Sequence, residues 1–360
     1  MGLRGEARVI ESDYLAETIV DGRREVYLGL DNAVDYRERV GAAYAQWARE
    51  GERWGLQAGL RYEYTYIGVD QADGEAVGPG GLAVAPEIDK RYHRLFPSAT
   101  VSRELGERWS ANVSYSSRIR RPGFWMINPF GTGVENPNQL QLGNADIDPS
   151  FTDAVELKAL FKTDQLTLNP FVSLTYVHGF FDQFVSQDST GLVRQFPINL
   201  DRERQVAGGL TVSYAPTAKW QLSGEAYLGR FRQRGTFAGV DFGNAFTTSS
   251  LQLSVRGELW AGVQAQATYD YLGGQRYARF FRDPVSAIRA GLSRQFLGER
   301  LQVALNVRNL FELQRFRGGE RGHTFVNRYE RLWQGERWQL TATWDWGKDV
   351  RMRRARGSIR

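Results

Sequence analysis

The sequence predicts an all-β protein, an antiparallel up-and-down transmembrane β-barrel with about 14 strands in this chain. Three observations carry this. Apolar and polar residues alternate with period two through nearly the whole chain. Several alternating runs are longer than soluble strands, which average roughly 5–6 residues. Short turns and long loops take strict turns along the sequence, the arrangement of an outer-membrane barrel.

The first long run follows the tetrapeptide GERW at 51–54. Trp54, Leu56, Ala58, Leu60, Tyr62, Tyr64 and Tyr66 share one parity; Gln57, Arg61, Glu63 and Thr65 share the other. Successive side chains of a strand point to opposite faces, so one face is apolar and one polar. The run would extend roughly 40 Å at about 3.3 Å per residue, enough to cross a bilayer even when tilted. GERW recurs at 106–109 and 335–338, and GERL at 298–301, each followed by another alternating segment: WSANVSY, WQLTATWDW and LQVALNVRN. WQLSGEAYL (220–228), LQLSVRGEL (251–259) and VQAQATYDY (263–271) obey the same rule.

Short turns are expected near 50–53, 105–108, 163–165, 215–219, 261–262 and 297–300. Long loops are expected near 18–31, 70–91, 121–150, 185–200, 232–246 and 273–284. Tryptophans mark the short turns: Trp54, Trp109 and Trp220 follow one, and Trp47 and Trp260 precede one. Trp favours the membrane–water boundary, where its ring is half buried and its N–H reaches water. The Gly-Glu-Arg part is then the solvated turn, and the Trp or Leu is where the strand re-enters apolar surroundings. An even strand number requires 301–333 to be one long ascending element bent at Gly318 and Gly319, with Trp338 in the opposite girdle.

Composition narrows the function. The 360 residues carry a net charge of +5, no cysteine and a mean hydropathy of -0.46, and acids and bases are interleaved. Disulfides and thiolate metal sites are excluded, and no basic stripe offers a nucleic-acid surface. No window approaches the roughly 18 apolar residues of a membrane-spanning helix. The start, MGLRGEARVIESDY, reads as no signal peptide, so either the protein is cytoplasmic or the chain starts downstream of its true beginning. The barrel occupies 1–347, and the basic run at 348–360 reads as a solvated, disordered periplasmic tail.

Residues 115–161 carry the most specific motif. Ser117, Arg118, Arg121 and Pro122 end a strand; Asn128, Pro129 and Phe130 follow, then Gly143, Asn144 and Pro149. This resembles TonB-dependent outer-membrane receptors of the outer-membrane β-barrel family, where the pattern is Ser-x-Arg-x-x-Arg-Pro, Asn-Pro-Phe and Gly-Asn-Pro-x-Leu-x-Pro-Glu. Ala145 and Ser150 depart from that pattern, where the family often has proline and glutamate. LNVRNLF (305–311) is similar to the penultimate-strand signature of the same receptors, and RWQLTATWDWGK to their closing strand, with Trp346 in place of the usual terminal aromatic. The resemblance implies a cell-outer-membrane location, contact with outer-membrane lipid, import of an unidentified solute, and a plug domain and TonB system that this chain does not encode. It also implies that these strands are part of a larger barrel of about 22 strands. A self-contained, porin-like passive channel of fourteen strands is the alternative.

Candidate ligand contacts on the long loop are Arg121, Phe124, Trp125, Asn128, Phe130 and Asn136, because aromatic and amide side chains can stack on and hydrogen-bond a solute. Packing of the loop against its neighbours explains the same residues. His93, His178 and His323 lack metal-ligand spacing, so no metal, cofactor or catalytic site is expected, and the protein is read as no enzyme. Gln57, Arg61, Glu63, Arg256, Glu258, Gln264, Gln266, Asp270, Asn306 and Arg308 form the expected lumen-facing set. They would line water in a porin or hold a plug in a receptor.

Overall fold

A computed structural model describes residues 1–71, 77–78, 82–83, 87–128, 139–187, 189, 191–322, 325–332 and 335–346, with the side chains of 28–32 and 71 left out. Pro129, Phe130, Asn136, His323 and the tail 348–360 lie outside the described residues. Fourteen strands follow one another in a continuous antiparallel path. These are β1 (Gly2–Val20), β2 (Arg23–Glu50), β3 (Trp54–Gln71), β4 (Glu87–Glu104), β5 (Trp109–Arg120), β6 (Ser150–Lys162) and β7 (Leu166–Gln187). They continue as β8 (Val193–Thr217), β9 (Trp220–Arg234), β10 (Asn244–Glu258), β11 (Gln264–Leu272), β12 (Val285–Phe296), β13 (Leu301–Arg308) and β14 (Arg337–Trp344). Each strand pairs with its sequence neighbour. The strand Gln139–Gln141 joins the same sheet by pairing parallel to β8. Among the described residues no ladder joins β1 to β14.

Burial runs opposite to that of a water-soluble protein. On β3, Leu60, Tyr62 and Tyr64 are 48%, 43% and 41% exposed, while Glu63 between them is 4% exposed. Leu95 and Val101 on β4, Val172 and Leu174 on β7 and Val206 on β8 are likewise exposed. Directly opposed residues share a face, so the register row Arg256, Gln266, Gly291, Asn306 runs along the inner wall. Arg289 pairs with Asp270 at 2.7 Å on that wall. The apolar face meets lipid and the polar face meets the lumen, as a transmembrane barrel requires. Trp47, Trp54, Trp109, Trp260 and Trp338 are all exposed, and Trp220 is partly so.

Above the lipid band the faces exchange. On β2 the outward series changes from Ala43, Ala45 and Trp47 to Arg39, Arg37 and Asp35, and Tyr66 and Gly68 of β3 sit opposite Arg39 and Arg37. There the inward residues become apolar: Val34, Tyr36, Ile67, Val69 and Ile88 are all buried in one cluster. The strands outgrow the bilayer, and their upper inner face is a protein core.

Three expectations need correction. The region 185–200 is mostly strand, because β7 runs to Gln187 and β8 starts at Val193, with Gln187 opposite Val193. The region 18–31 is no long loop, because β1 and β2 continue to a two-residue turn at Asp21–Gly22, whose φ values of 51° and 77° suit a tight hairpin. The element 301–333 is not one strand. After Arg308, positive φ at Asn309, Phe311 and Glu312 turns the chain away, and Asn309 Oδ1 accepts a hydrogen bond from the Gln314 amide at 2.8 Å. The chain then forms Arg315–Arg321 and Val326–Leu332, which pair with each other, and Arg315–Arg321 also pairs with Phe280–Arg282, itself paired with Gln275–Arg276, in a separate four-stranded sheet. Gly318 and Gly319 lie inside that sheet, where an added Cβ would fall 2.6 Å from Phe281 O and 2.2 Å from Asn327 O. Close approach, and no bend of a membrane strand, accounts for the pair. Trp338 pairs with Val307, at the far end of β13 from the 297–300 turn.

Candidate functional site

The described parts of the connection after β5, residues 121–128 and 139–149, fold into the mouth of the barrel. Pro122 is fully buried, and the single turn α1 (Phe124–Ile127) starts at Gly123 and closes with the Asn128 amide on Phe124 O at 2.8 Å. Phe124 and Ile127 enter the cluster with Tyr36, Ile67 and Val69; the Phe124 and Tyr36 rings meet edge to face at 5.5 Å. Arg121 fixes the start of the loop. Its Nε donates to Thr65 Oγ1 at 3.0 Å, and its guanidinium pairs with Glu63, which also accepts from Arg61 Nε at 2.7 Å. A carboxylate this buried is tolerable because two guanidiniums compensate it.

The second half of the motif returns over the first. Gly143 N donates to Asn128 O at 2.8 Å, and a Cβ on Gly143 would sit 2.2 Å from that oxygen. Only glycine permits this crossing. Asn144 spans two neighbours: its backbone N–H donates to Met126 O at 2.7 Å and its Nδ2 to Pro197 O at 2.9 Å. Asn199 of β8 then accepts from the Asp148 amide at 2.7 Å and donates to Asp148 O and Gly179 O, both at 2.9 Å. Lys90 reaches across from β4 to Ile147 O at 2.7 Å. The motif is therefore a latch that holds the loop inside the mouth. Pro149 is buried beside it, whereas Arg118 stands on the lumen face of β5, opposite Thr152.

Of the expected ligand contacts, the structure gives Arg121, Phe124 and Asn128 packing and anchoring roles. Trp125 differs: it is exposed and lines a cavity of about 860 Å³. That cavity lies between the latched loop, the upper parts of β7–β9 and the four-stranded sheet. Its volume is within the range of small-molecule sites. Phe181 and Phe196 supply apolar walls; Asp182, Gln183 and Glu203 supply polar ones, and Arg279 closes it from above. Arg279 Nη1 donates to Gln183 Oε1 at 3.1 Å, and Arg120 lies over the Phe181 ring at 5.1 Å. Gln233 Nε2 donates to Glu203 Oε2 at 2.7 Å. Burial raises the Asp182 carboxyl above the usual carboxylate range, against the pull of the Gln183 amide and Arg279, and burial lowers the Arg279 guanidinium.

Asp182, Glu203 and Arg279 were not singled out by sequence, because they come from distant segments with no local pattern. Only the position of Arg279 in an expected long loop marked it. The two described histidines form no constellation: His93 lies beside Tyr62 on the outer face, and His178 sits against Tyr176. Among the described residues no group of three or more acids and histidines could hold a metal ion.

The comparisons agree with this architecture. Residues 1–344 match the model of the outer membrane protein beta-barrel family. The ferric yersiniabactin uptake receptor FyuA from Yersinia pestis superimposes with a TM-score of 0.64 and 12% identity, over 94% of this chain and 49% of its own. The ferric-catecholate import receptor Fiu from K12 E. coli gives 0.61 and 15%, over 94% and 50%. The copper transporter OprC gives 0.62 and 14%, over 86% and 48%. The chain thus spans about half the length of the solved structures it matches, and at such identities the likeness is one of fold. No curated protein matches the chain. With a lipid-facing apolar wall, a polar lumen and a family match over nearly its whole length, the chain belongs to the outer membrane protein β-barrel family and resides in a Gram-negative outer membrane.

Proposed function

We propose that this chain is barrel wall and mouth of a TonB-dependent receptor that imports a bulky solute and does no covalent chemistry. The observation that carries the reading is the latched loop, which narrows the mouth and builds one wall of the solute-sized cavity beside it. An open diffusion channel gains nothing from a mouth tied shut by a buried core. A receptor gains a preorganised site that captures solute before an energised step releases it. The lumen charges Arg61, Arg256 and Asp270 then face a plug supplied by the rest of the protein, through charge-assisted hydrogen bonds. The names of FyuA, Fiu and OprC, two uptake receptors and a transporter, support the same class.

The test is uptake by cells carrying the intact gene product, with and without TonB and with the proton-motive force collapsed. The reading expects solute accumulation to stop in both cases. Steady ion conductance of the intact protein in planar bilayers, with uptake indifferent to TonB, would instead establish a passive channel.

A further inference from the structure

The cavity at the mouth is bordered by five charged side chains of both signs: Arg120, Arg279, Asp182, Glu203 and Glu320. None of the five forms an ion pair among the described residues. Arg279 spends its donors on the backbone and side-chain oxygens of Gln183, at 3.4 and 3.1 Å, and Arg120 spends its charge on a ring face. Asp182 accepts only from the adjacent Gln183 amide at 2.7 Å, and Glu203 only from Gln233. Elsewhere in the same lumen charges do pair: Arg61 with Glu63, Arg121 with Glu63, Arg289 with Asp270. Asp182, Glu203, Arg279 and Glu320 are half-buried and Arg120 is exposed, and no two of the five come within ion-pair distance of each other. Charges partly withdrawn from water gain from a close partner, so the set favours a ligand that supplies both signs.

Resting on the uptake reading above, we infer that the cavity binds a zwitterionic solute of short-oligopeptide chemistry, its ammonium toward Asp182 and Glu203 and its carboxylate toward Arg120 and Arg279. A polyanionic metal chelate would meet three carboxylates, and a polycation two guanidiniums. A neutral polyol would leave all five charges uncompensated. The remaining walls suit peptide groups and side chains. Gln183 accepts from Arg279 and Gln195, and its own amide N–H₂ has no protein partner among the described residues. Trp125, Phe180, Phe196 and Phe280 present apolar surface. Arg279 belongs to the segment joining Gln275–Arg276 to Phe280–Arg282, so the four-stranded sheet carries part of the site.

The test uses the full chain folded in detergent micelles and an equimolar pool of tri- to hexapeptides with free termini, with retention at equilibrium read by mass spectrometry. The same pool acetylated and amidated, a ferric tricatecholate and maltohexaose are the comparators. Free peptides should be retained, and blocking both ends should weaken retention about tenfold, the equivalent of about 1.4 kcal/mol. Asp182→Asn with Glu203→Gln should abolish the preference for a free amino end. Arg279→Gln should weaken the preference for a free carboxyl end, and Arg279→Lys should restore it. Heat-modifiable migration on gels verifies that each variant is folded, and Trp260→Ala, outside the lumen, should change nothing. Equal retention of free and blocked peptides, no retention of peptides, or retention of the chelate or the sugar in their place would overturn the inference. None of those results touches the uptake reading, which stands or falls on TonB dependence in cells.

Discussion

The two ends of the strand path solve the membrane problem differently. In β1–β4 the strands run 18 to 28 residues, whereas β13 and β14 have 8 each. Eight residues extend about 26 Å at ~3.3 Å each, close to the thickness of a barrel's apolar band. Twenty-eight extend about 90 Å, far beyond it. Where strands are long, the excess forms the wall of the mouth and turns its apolar side inward, onto the latched loop. Where they are short, the chain leaves the barrel at Asn309 and builds the mouth from a separate sheet. The bilayer sets a minimum length; what lies above it obeys the rules of an ordinary protein core.

That contrast can be broken at either level. The largest expected effect is in the upper core, where Ile67→Ala or Ile147→Ala should cost about 2–5 kcal/mol, measured by denaturant unfolding in detergent. Both side chains are fully buried, and the latched loop should become protease-sensitive before the barrel itself unfolds. At the lipid level, Leu60→Arg should cost about 2–4 kcal/mol, while Asp70→Arg, outward but above the band and half-exposed, should cost no more than about 1 kcal/mol. Equal costs at 60 and 70 would erase the proposed boundary. Gly143→Ala should cost about 1–3 kcal/mol through overpacking against Asn128, seen as faster cleavage of the loop with barrel migration unchanged.

Smaller effects follow from the titrating groups above the membrane. The Asp182 carboxyl is raised, so its folded form holds a proton more tightly than its unfolded form and stability falls as pH rises through that range. Asp182→Asn should therefore raise the unfolding temperature at neutral pH, and the gain should vanish below the ordinary carboxylate value. Glu336 behaves oppositely. Its carboxylate accepts from Trp338 Nε1 at 2.6 Å and from the Phe311 amide at 2.9 Å, which lowers its pKa. Its contribution is present above the ordinary glutamate value and is lost as pH falls through the depressed one. Hydrogen exchange at the Phe311 amide should quicken over that interval, and Glu336→Gln should flatten the response.

Much of this molecule was readable before its structure. The alternation from Trp54 to Tyr66, the Trp residues at the short turns and the position of every short turn reflect constraints acting within a few residues. The exchange of faces above Tyr66 was not readable, because an apolar residue has the same sequence signature whether it meets lipid or a core. Region 18–31 looked like a loop because Arg23, Arg24 and Glu25 follow one another without alternation, and the hairpin they lie on is exposed on both faces. The break after Arg308 depends on left-handed backbone at Asn309, Phe311 and Glu312, which non-glycine residues do not advertise. For the motif loop, aromatic and amide composition suited both ligand contact and packing; only the fold assigns Phe124 to the core and Trp125 to the cavity. The cavity charges could not be found locally, since Arg279 meets Gln183 across 96 residues of chain.

The exchange of faces is the central claim, and the absence of cysteine from the chain makes it directly measurable. Single spin-labelled cysteines at 37, 60, 62, 67, 69 and 70, in liposomes, report contact with dissolved oxygen in lipid and with a polar nickel chelate in water. The account predicts oxygen contact at 60 and 62, chelate contact at 37 and 70, and protection from both at 67 and 69. Oxygen contact at 67 and 69, or chelate contact at 60 and 62, would contradict it.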